Sequence, residues 1–382
     1  MAHQKHTKLS KPHNGYFGSN EWSILGTTCS NIQQLANDLS HGLKEKYKIG
    51  YVDADHKNAE TEQFTHQENS ASFQMTYTDK IGYHRFDSRL DYDTYTFRSV
   101  FNEMDMVIVN GNHFQAKKQI VVIDPVKEES LSRKLDRLTD VELILFTQAE
   151  RKFPAYLEKH LSDLTSIPAL GFHQTDRILS FLEQKMHQAV PPLYGLVLSG
   201  GKSTRMGRDK GQISYHGKPQ RLFLADILTQ LCEKTFLSVR TIEGEKEEGF
   251  PLLADSFYDL GPFGGIASAF RSTPNVAWMV VACDLPLLDL STLKYLTENR
   301  NPSAVATAFN SPWNEFPEPL ISIWEPRSYP VLLQFLAQGY SCPRKVLINA
   351  PVQLIDVPDG KKLMNVNQPE EYREAMRIIQ KK

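Results

Sequence analysis

The sequence predicts an α/β protein of two domains, each a mostly parallel sheet with helices on both faces. Three observations carry that expectation. The chain has 382 residues, more than one hydrophobic core usually organises. Short apolar, strand-like runs alternate with amphipathic stretches of helical period. The alternation breaks at "MHQAVPPLYG", where two adjacent prolines cannot continue a helix and favour extended backbone. The boundary therefore falls near Val190, giving domains over residues 1–190 and 191–382.

Taken in order, the first twenty or so residues are rich in His, Lys and Gly and read as a solvated, flexible arm. His3, His6 and His13 could bind a metal, but no carboxylate or cysteine accompanies them. From Trp22, the strand-like "WSIL", a glycine turn, the helical period of "NIQQLANDLSHGLKEKY" and the strand-like "KIGYVDAD" make a βαβ opening. Apolar runs follow at "DMVIVNG", "QIVVID" and "VELILF", with amphipathic "ERKFPAYLEKHLSDL" and "TDRILSFLEQKMHQ" after or between them. Beyond the boundary, "LYGLVLSGG", a helical "PQRLFLADILTQLCEK", "TFLSVRTI" and "AWMVVACDLPLLD" restart the pattern.

Composition narrows the function. With 43 basic against 45 acidic residues and a pI near 6.6, the chain has no field suited to wrapping nucleic acid, so any anion binding is local. No run approaches 18 uninterrupted apolar residues, and the polar start lacks the apolar core of a secretory signal, so a soluble cytoplasmic protein is expected. Cys29, Cys232, Cys283 and Cys342 form no CxxC pair and suggest neither a disulfide framework nor a zinc site.

The most informative stretch is "LVLSGGKSTRMGRDKG", residues 196–211, at the carboxyl end of the second domain's first strand, where open α/β sheets bind ligands. Gly200 and Gly201 let backbone N–H groups approach a phosphate with no Cβ in the way, while Lys202, Arg205, Arg208 and Lys210 supply charge. The plain alternative is a strand-to-helix turn with solvated basic residues. Further on, Asp284 follows the apolar "WMVVAC", which places a carboxylate at the ligand edge, although a helix N-cap is its alternative role. Mg²⁺ takes one or two protein carboxylates and fills its other sites with water and phosphate oxygens, so a lone aspartate opposite a phosphate loop suffices. Asp255 precedes "DLGPFGG", whose paired glycines permit close packing against a bound nucleotide; its alternative is an Asx turn. Asn365 and Asn367 alternate on one face of an expected strand, so both can reach one cleft.

These motifs resemble the molybdenum cofactor guanylyltransferase family of MobA type, whose loop reads LAGG-x-S-x-RMG-x-DK-G; Ser199 is the noticeable departure. "ADSFYDLGPFGG", "VVACDLPLLD", "FPEPL" and "LMNVNQPEEY" are similar to its later segments, and the resemblance covers residues 192–382. It implies a Rossmann-like nucleotidyltransferase fold and transfer of GMP from GTP to the terminal phosphate of molybdopterin, with release of pyrophosphate. Lys210, Arg205 and Asp284 would be catalytic, with Asp284 holding Mg²⁺. Leu198, Ser199, Gly200, Gly201, Lys210, Asp255 and Asp284 would contact the nucleotide, and Asn365 and Asn367 the acceptor. Arg240 stands where the family usually carries an asparagine-containing strand, which keeps a cytidylyltransferase open. A non-catalytic cofactor-binding or chaperone protein for molybdenum enzymes is the other alternative.

The first domain is similar in part to the accessory proteins of MobB type, which are P-loop GTP-binding proteins. Where GxxxxGK[ST] is required, the chain offers Gly26, Thr27, Thr28, Cys29, Ser30 and Asn31 with no lysine. A degenerate P-loop domain without NTPase activity, serving docking or assembly, is expected.

Overall fold

The protein is described from a computed structural model over residues 15–54, 73–199, 210–245 and 248–381. It divides into two compact units, Met1–Ala189 and Val190–Lys382. The arm as far as residue 14, with His3, His6 and His13, lies outside the described residues. Residues 15–20 are not part of an arm: the N–H groups of Tyr16, Phe17 and Gly18 donate to the buried Glu21 carboxylate, and Phe17 is buried among Phe97, Phe101 and Phe114.

The strands of the first unit are β1 (Glu21–Leu25), β2 (Ile49–Val52), β3 (Met75–Asp79), β4 (His84–Ser88), β5 (Met106–Asn110), β6 (Lys118–Ile123), β7 (Val141–Phe146) and β8 (Ala169–Gly171). Six of them form a sheet in the order β2-β5-β1-β6-β7-β8, parallel throughout. Its helices are α1 (Cys29–Leu43), α2 (Thr94–Val100), α3 (Glu128–Ser132), α4 (Ala155–His160) and α5 (Thr175–Gln188). Helix α4 is shorter than its amphipathic stretch because Pro154 starts it and Leu161 is already extended. Alternate residues of β6 and β7 explain the two layers. Ile120, Val122, Leu143 and Leu145 pack with α1 and α5, whereas Val121, Ile144 and Phe146 pack with Leu131 of α3 and Leu157 of α4. Strands β3 and β4 form a separate antiparallel hairpin, which the sequence did not suggest.

In the second unit the strands are β9 (Leu193–Leu198), β10 (Lys234–Val239), β11 (Leu252–Ala254), β12 (Ala277–Ala282), β13 (Ala306–Asn310), β14 (Pro317–Trp324) and β15 (Gln353–Ile355). Their order is β11-β10-β9-β12-β14-β13-β15. Only β14 runs against its neighbours, β12 and β13; the other pairs are parallel. The helices are α6 (Gln220–Leu228), α7 (Pro262–Ser272), α8 (Leu290–Glu298), α9 (Ser328–Ala337), α10 (Pro343–Asn349) and α11 (Pro369–Gln380). Ala277, Met279 and Val281 of β12 face a core shared with α6 and α8, while Trp278 and Val280 face one shared with α7 and α9. Two of the cysteines, Cys232 and Cys283, are buried, while Cys29 and Cys342 are exposed. Burial pushes the Cys232 thiol up to about 12.

Candidate active site

Of the sequence-predicted residues, Leu198, Ser199, Asp255 and Asp284 stand at the carboxyl edge of the second sheet. Strand β9 ends at Leu198, and Ser199 follows with both its N–H (3.1 Å) and its hydroxyl (2.7 Å) donated to the carbonyl of Ser238. The hydroxyl that sets this loop apart from the family pattern therefore fastens the loop's first residue to β10. Gly200, Gly201, Lys202, Arg205 and Arg208 lie outside the described residues. Lys210 begins a 3₁₀ turn, Lys210–Gln212, and its side chain is likewise outside them.

Asp255 leaves β11 with its N–H bonded to the carbonyl of Val239 at 2.9 Å. Its Oδ1 is buried with no hydrogen-bond partner among the described residues. Burial pushes this carboxyl up to about 6, with the Arg240 guanidinium acting in the opposite sense. Arg240 itself pairs with Asp259 at 2.9 Å. The glycines after Asp255 also meet steric demands of the fold itself. Gly261 takes φ 57° ahead of α7, which no side chain favours. A Cβ on Gly264 would strike the carbonyl oxygen of Phe257, and one on Gly265 would lie 2.8 Å from Leu198 Cδ2 and 2.9 Å from Ser238 Oγ. The paired glycines thus let α7 lie close against the Phe257 turn and against β9 and β10.

Asp284 stands two residues beyond β12. It is not a helix cap: Asp289 caps α8, accepting from Thr292 N–H at 3.0 Å and from the hydroxyls of Thr292 and Ser291. Burial opposes the ionised form of Asp289, but hydrogen bonds from Lys362, Ser291 and Thr292 hold its carboxyl well below the usual range. The Asp284 turn is held from outside the strand. Gln220 Nε2 donates to the Leu285 carbonyl at 3.1 Å, and His216 Nε2 lies 2.8 Å from the Pro286 carbonyl while stacking on Phe223. Val366 N–H donates to the Asp284 carbonyl at 2.8 Å.

That last bond places Asn365 and Asn367 on either side of a residue docked at Asp284. The segment is not a strand, as expected from the sequence, but irregular chain between the 3₁₀ turn Gly360–Leu363 and α11. The alternation survives, because Val366 is buried against Tyr215, Leu287 and Ala375 while Asn365 is exposed and Asn367 half-buried. Burial, then the nearby Tyr372 and the Asp284 charge, push the Tyr215 hydroxyl well above its ordinary value.

Asp255 and Asp284 follow strands three places apart, about 14 Å by strand spacing. They mark two separate places on the edge, and no cluster of three His, Cys, Asp or Glu residues suited to a metal occurs among the described residues. The donor at this place is the Asp284 carboxylate, with Asn365 and Asn367 on the segment docked by Val366. A carboxylate is the hard oxygen donor that Mg²⁺ takes, and that ion needs few protein ligands. The sequence reading missed Tyr215, His216 and Gln220. Their signal was available in "SYHGKPQ", a polar turn with a proline just ahead of an amphipathic helix.

In the first unit, Gly26 takes φ 97° under the Val122 carbonyl, and Thr28 caps α1 by accepting from Asn31 N–H at 3.3 Å. Protein groups brace the loop: Thr27 donates to Asp124 at 2.5 Å, Asn31 to Thr27 at 2.9 Å, and Asn112 to the Thr27 carbonyl at 2.9 Å. A cavity of about 540 Å³ lies beside α1, lined by Thr28, Asn31, Asp124, Phe172 and His173 among others.

A family model described as a MobA-like NTP transferase domain matches residues 195–353. The molybdenum cofactor biosynthesis bifunctional protein of Synechocystis is 38% identical over 183 residues, 47% of this chain and 53% of that protein; the chain thus spans about half of that relative's length. The molybdenum cofactor guanylyltransferase of Pseudomonas putida is 30% identical over 207 residues, covering 50% of this chain and 100% of that protein. The crystal structure of molybdopterin-guanine dinucleotide biosynthesis protein A from Archaeoglobus fulgidus has a TM-score of 0.43 and 21% identity, covering 50% of this chain and 100% of that one. The matched unit is of nucleotidyltransferase class. The chain belongs to the molybdenum cofactor guanylyltransferase family.

Proposed function

We propose that the chain transfers GMP from GTP to the terminal phosphate of molybdopterin or Mo-molybdopterin, forming the guanine dinucleotide cofactor and pyrophosphate. The observation that carries this reading is the bond from Val366 N–H to the Asp284 carbonyl, which joins the "NVN" segment to the aspartate at the end of β12. The Pseudomonas relative, matched over its whole length, is named for guanylyl transfer.

In this reading Leu198, Ser199, Gly200 and Gly201 border the triphosphate, Arg205 and Lys210 neutralise it, and Asp255 accepts hydrogen bonds from the nucleoside. Asn365 and Asn367 orient the acceptor phosphate for in-line attack on the α-phosphate. Asp284 is the residue that would hold Mg²⁺, whose charge when bound offsets that of the phosphates. An acceptor phosphate is already ionised and needs no general base, so alignment and charge do most of the work. The first unit, whose loop over residues 26–31 has no lysine, serves docking or assembly with molybdenum enzymes or their chaperones in the cytoplasm. Among the described residues no helix is long and apolar enough to cross a membrane.

The test is incubation of the full chain with Mg²⁺, molybdopterin and each nucleoside triphosphate in turn, following pyrophosphate. GTP should give the highest kcat/KM. A higher value with CTP would move the chain to the cytidylyl branch, and molybdopterin binding without any pyrophosphate would leave a chaperone.

A further inference from the structure

The four tryptophans fall into two groups. Trp22, Trp278 and Trp324 are exposed to 1%, 0% and 0%, whereas Trp313 keeps 57% of its surface in solvent. A single exposed aromatic is ordinary on a protein surface, so its position has to carry the argument. Trp313 lies in the loop 311–316 between β13 and β14. Because β14 runs antiparallel to both β12 and β13, that loop leaves the sheet at the same edge as Leu198 and Ala282.

The loop is closed on itself. Ser311 N–H donates to the Phe316 carbonyl at 3.1 Å, Phe316 N–H to Asn314 Oδ1 at 2.9 Å, and Trp313 N–H to Ser311 Oγ at 3.4 Å. It also abuts the acceptor segment: a Cβ on Gly360 would lie 2.8 Å from Pro312, and Gly360 opens the turn that leads to Asn365. Phe316, 42% exposed, stands at the far end of the same loop. Strand β13 is two places from β12, about 10 Å, and lies on the opposite side of it from β9, β10 and β11, after which Ser199, Arg240 and Asp255 follow. A phosphate held beside Asp284 with its fused rings directed toward β13 would bring those rings to this loop, while the nucleoside lies the other way.

We propose that Trp313, with Phe316 beside it, is the stacking platform for the flat fused heterocycle of the acceptor, the pterin system in the reading above, on which this inference rests. An indole face takes a planar heteroaromatic ring without needing hydrogen-bond complementarity, and a loop already closed loses little freedom when the ring arrives.

Two measurements on the full chain test it. Trp313→Ala should raise the KM for molybdopterin about tenfold, the loss of one stacking contact, with kcat and the KM for GTP unchanged, and Trp313→Phe should recover most of the loss. Molybdopterin alone should shield tryptophan fluorescence from acrylamide in the wild type, because the other three indoles are buried, and should shield nothing further in Trp313→Phe. An unchanged KM for molybdopterin in Trp313→Ala, a raised KM for GTP instead, or shielding by GTP but not by molybdopterin would overturn the assignment. If the wild type transfers no nucleotide at all, the guanylyltransferase reading fails, while the shielding measurement still decides whether the acceptor covers Trp313.

Discussion

The N–H of Val366 lies 2.8 Å from the carbonyl oxygen of Asp284, so the irregular segment before α11 is registered to the end of β12 by a backbone bond. Backbone registration makes the spacing between the aspartate and the two flanking asparagines insensitive to their side chains. Substitutions at Asp284, Asn365 or Asn367 can therefore be read as chemistry rather than as displacement.

Asp284→Asn should lower kcat by roughly a hundredfold or more while thermal stability holds, as for other lost electrostatic groups. Asp289→Ala is the control. Loss of that cap should cost about 1 kcal/mol of stability and leave kcat nearly unchanged. A kinetics and melting comparison of the two variants checks both, and near-normal turnover of Asp284→Asn at low Mg²⁺ would remove the proposed metal ligand.

Gly264→Ala places a methyl group against the Phe257 carbonyl, which is backbone and cannot swing away. A loss of about 1–3 kcal/mol is expected from such overpacking, read as a lower midpoint in denaturant. Gly244→Ala, at a positive φ with open space around it, should cost less, since only backbone strain is added.

The pH dependence of Asp255 has a definite sign. Its carboxyl is pushed up by burial from 3.8 to about 6 in the folded protein, against the pull of Arg240, so its ionisation opposes the fold. That contribution to stability is fully present below 3.8 and is lost as the pH rises through about 6. Asp255→Asn should flatten this part of the profile of melting temperature against pH. If the ionised carboxylate accepts from the nucleoside, GTP binding should also tighten across the same interval in the wild type and not in the variant.

The first unit should not hydrolyse GTP or ATP. In the full chain carrying Asp284→Asn, phosphate release from either nucleotide should match the blank. Turnover that disappears on changing Thr28 or Ser30 would show a working phosphate loop and overturn the expectation.

The architecture was largely legible because both sheets are buried on two faces, so their strands stand out as apolar runs such as "VELILF" and "AWMVVA". The hairpin of β3 and β4 was not, because its residues are mostly exposed and polar in alternation with single aromatics, giving no continuous apolar run. At the site, Asp284 stood out because it comes just after an apolar strand-like run, and Asp255 because it precedes a glycine turn. Side chains that hold the site from a distance left no local pattern. Gln220 reaches Leu285 across 65 residues and Lys362 reaches Asp289 across the fold, and such pairings are set by tertiary packing rather than by spacing. The "NVN" alternation was legible, but the absence of a strand there was not, since a docked irregular segment and an edge strand share the same period.

The distribution of thiols makes the chain convenient for optical work. Each unit carries one solvent-facing cysteine, Cys29 in the first and Cys342 in the second, while the other two are enclosed. A donor and an acceptor dye can be attached by maleimide chemistry to the native sequence, and Cys283, beside Asp284, escapes labelling. Energy transfer between the dyes would then report the separation of the two units through a cycle of nucleotide binding and product release, in a protein whose residues have not been altered.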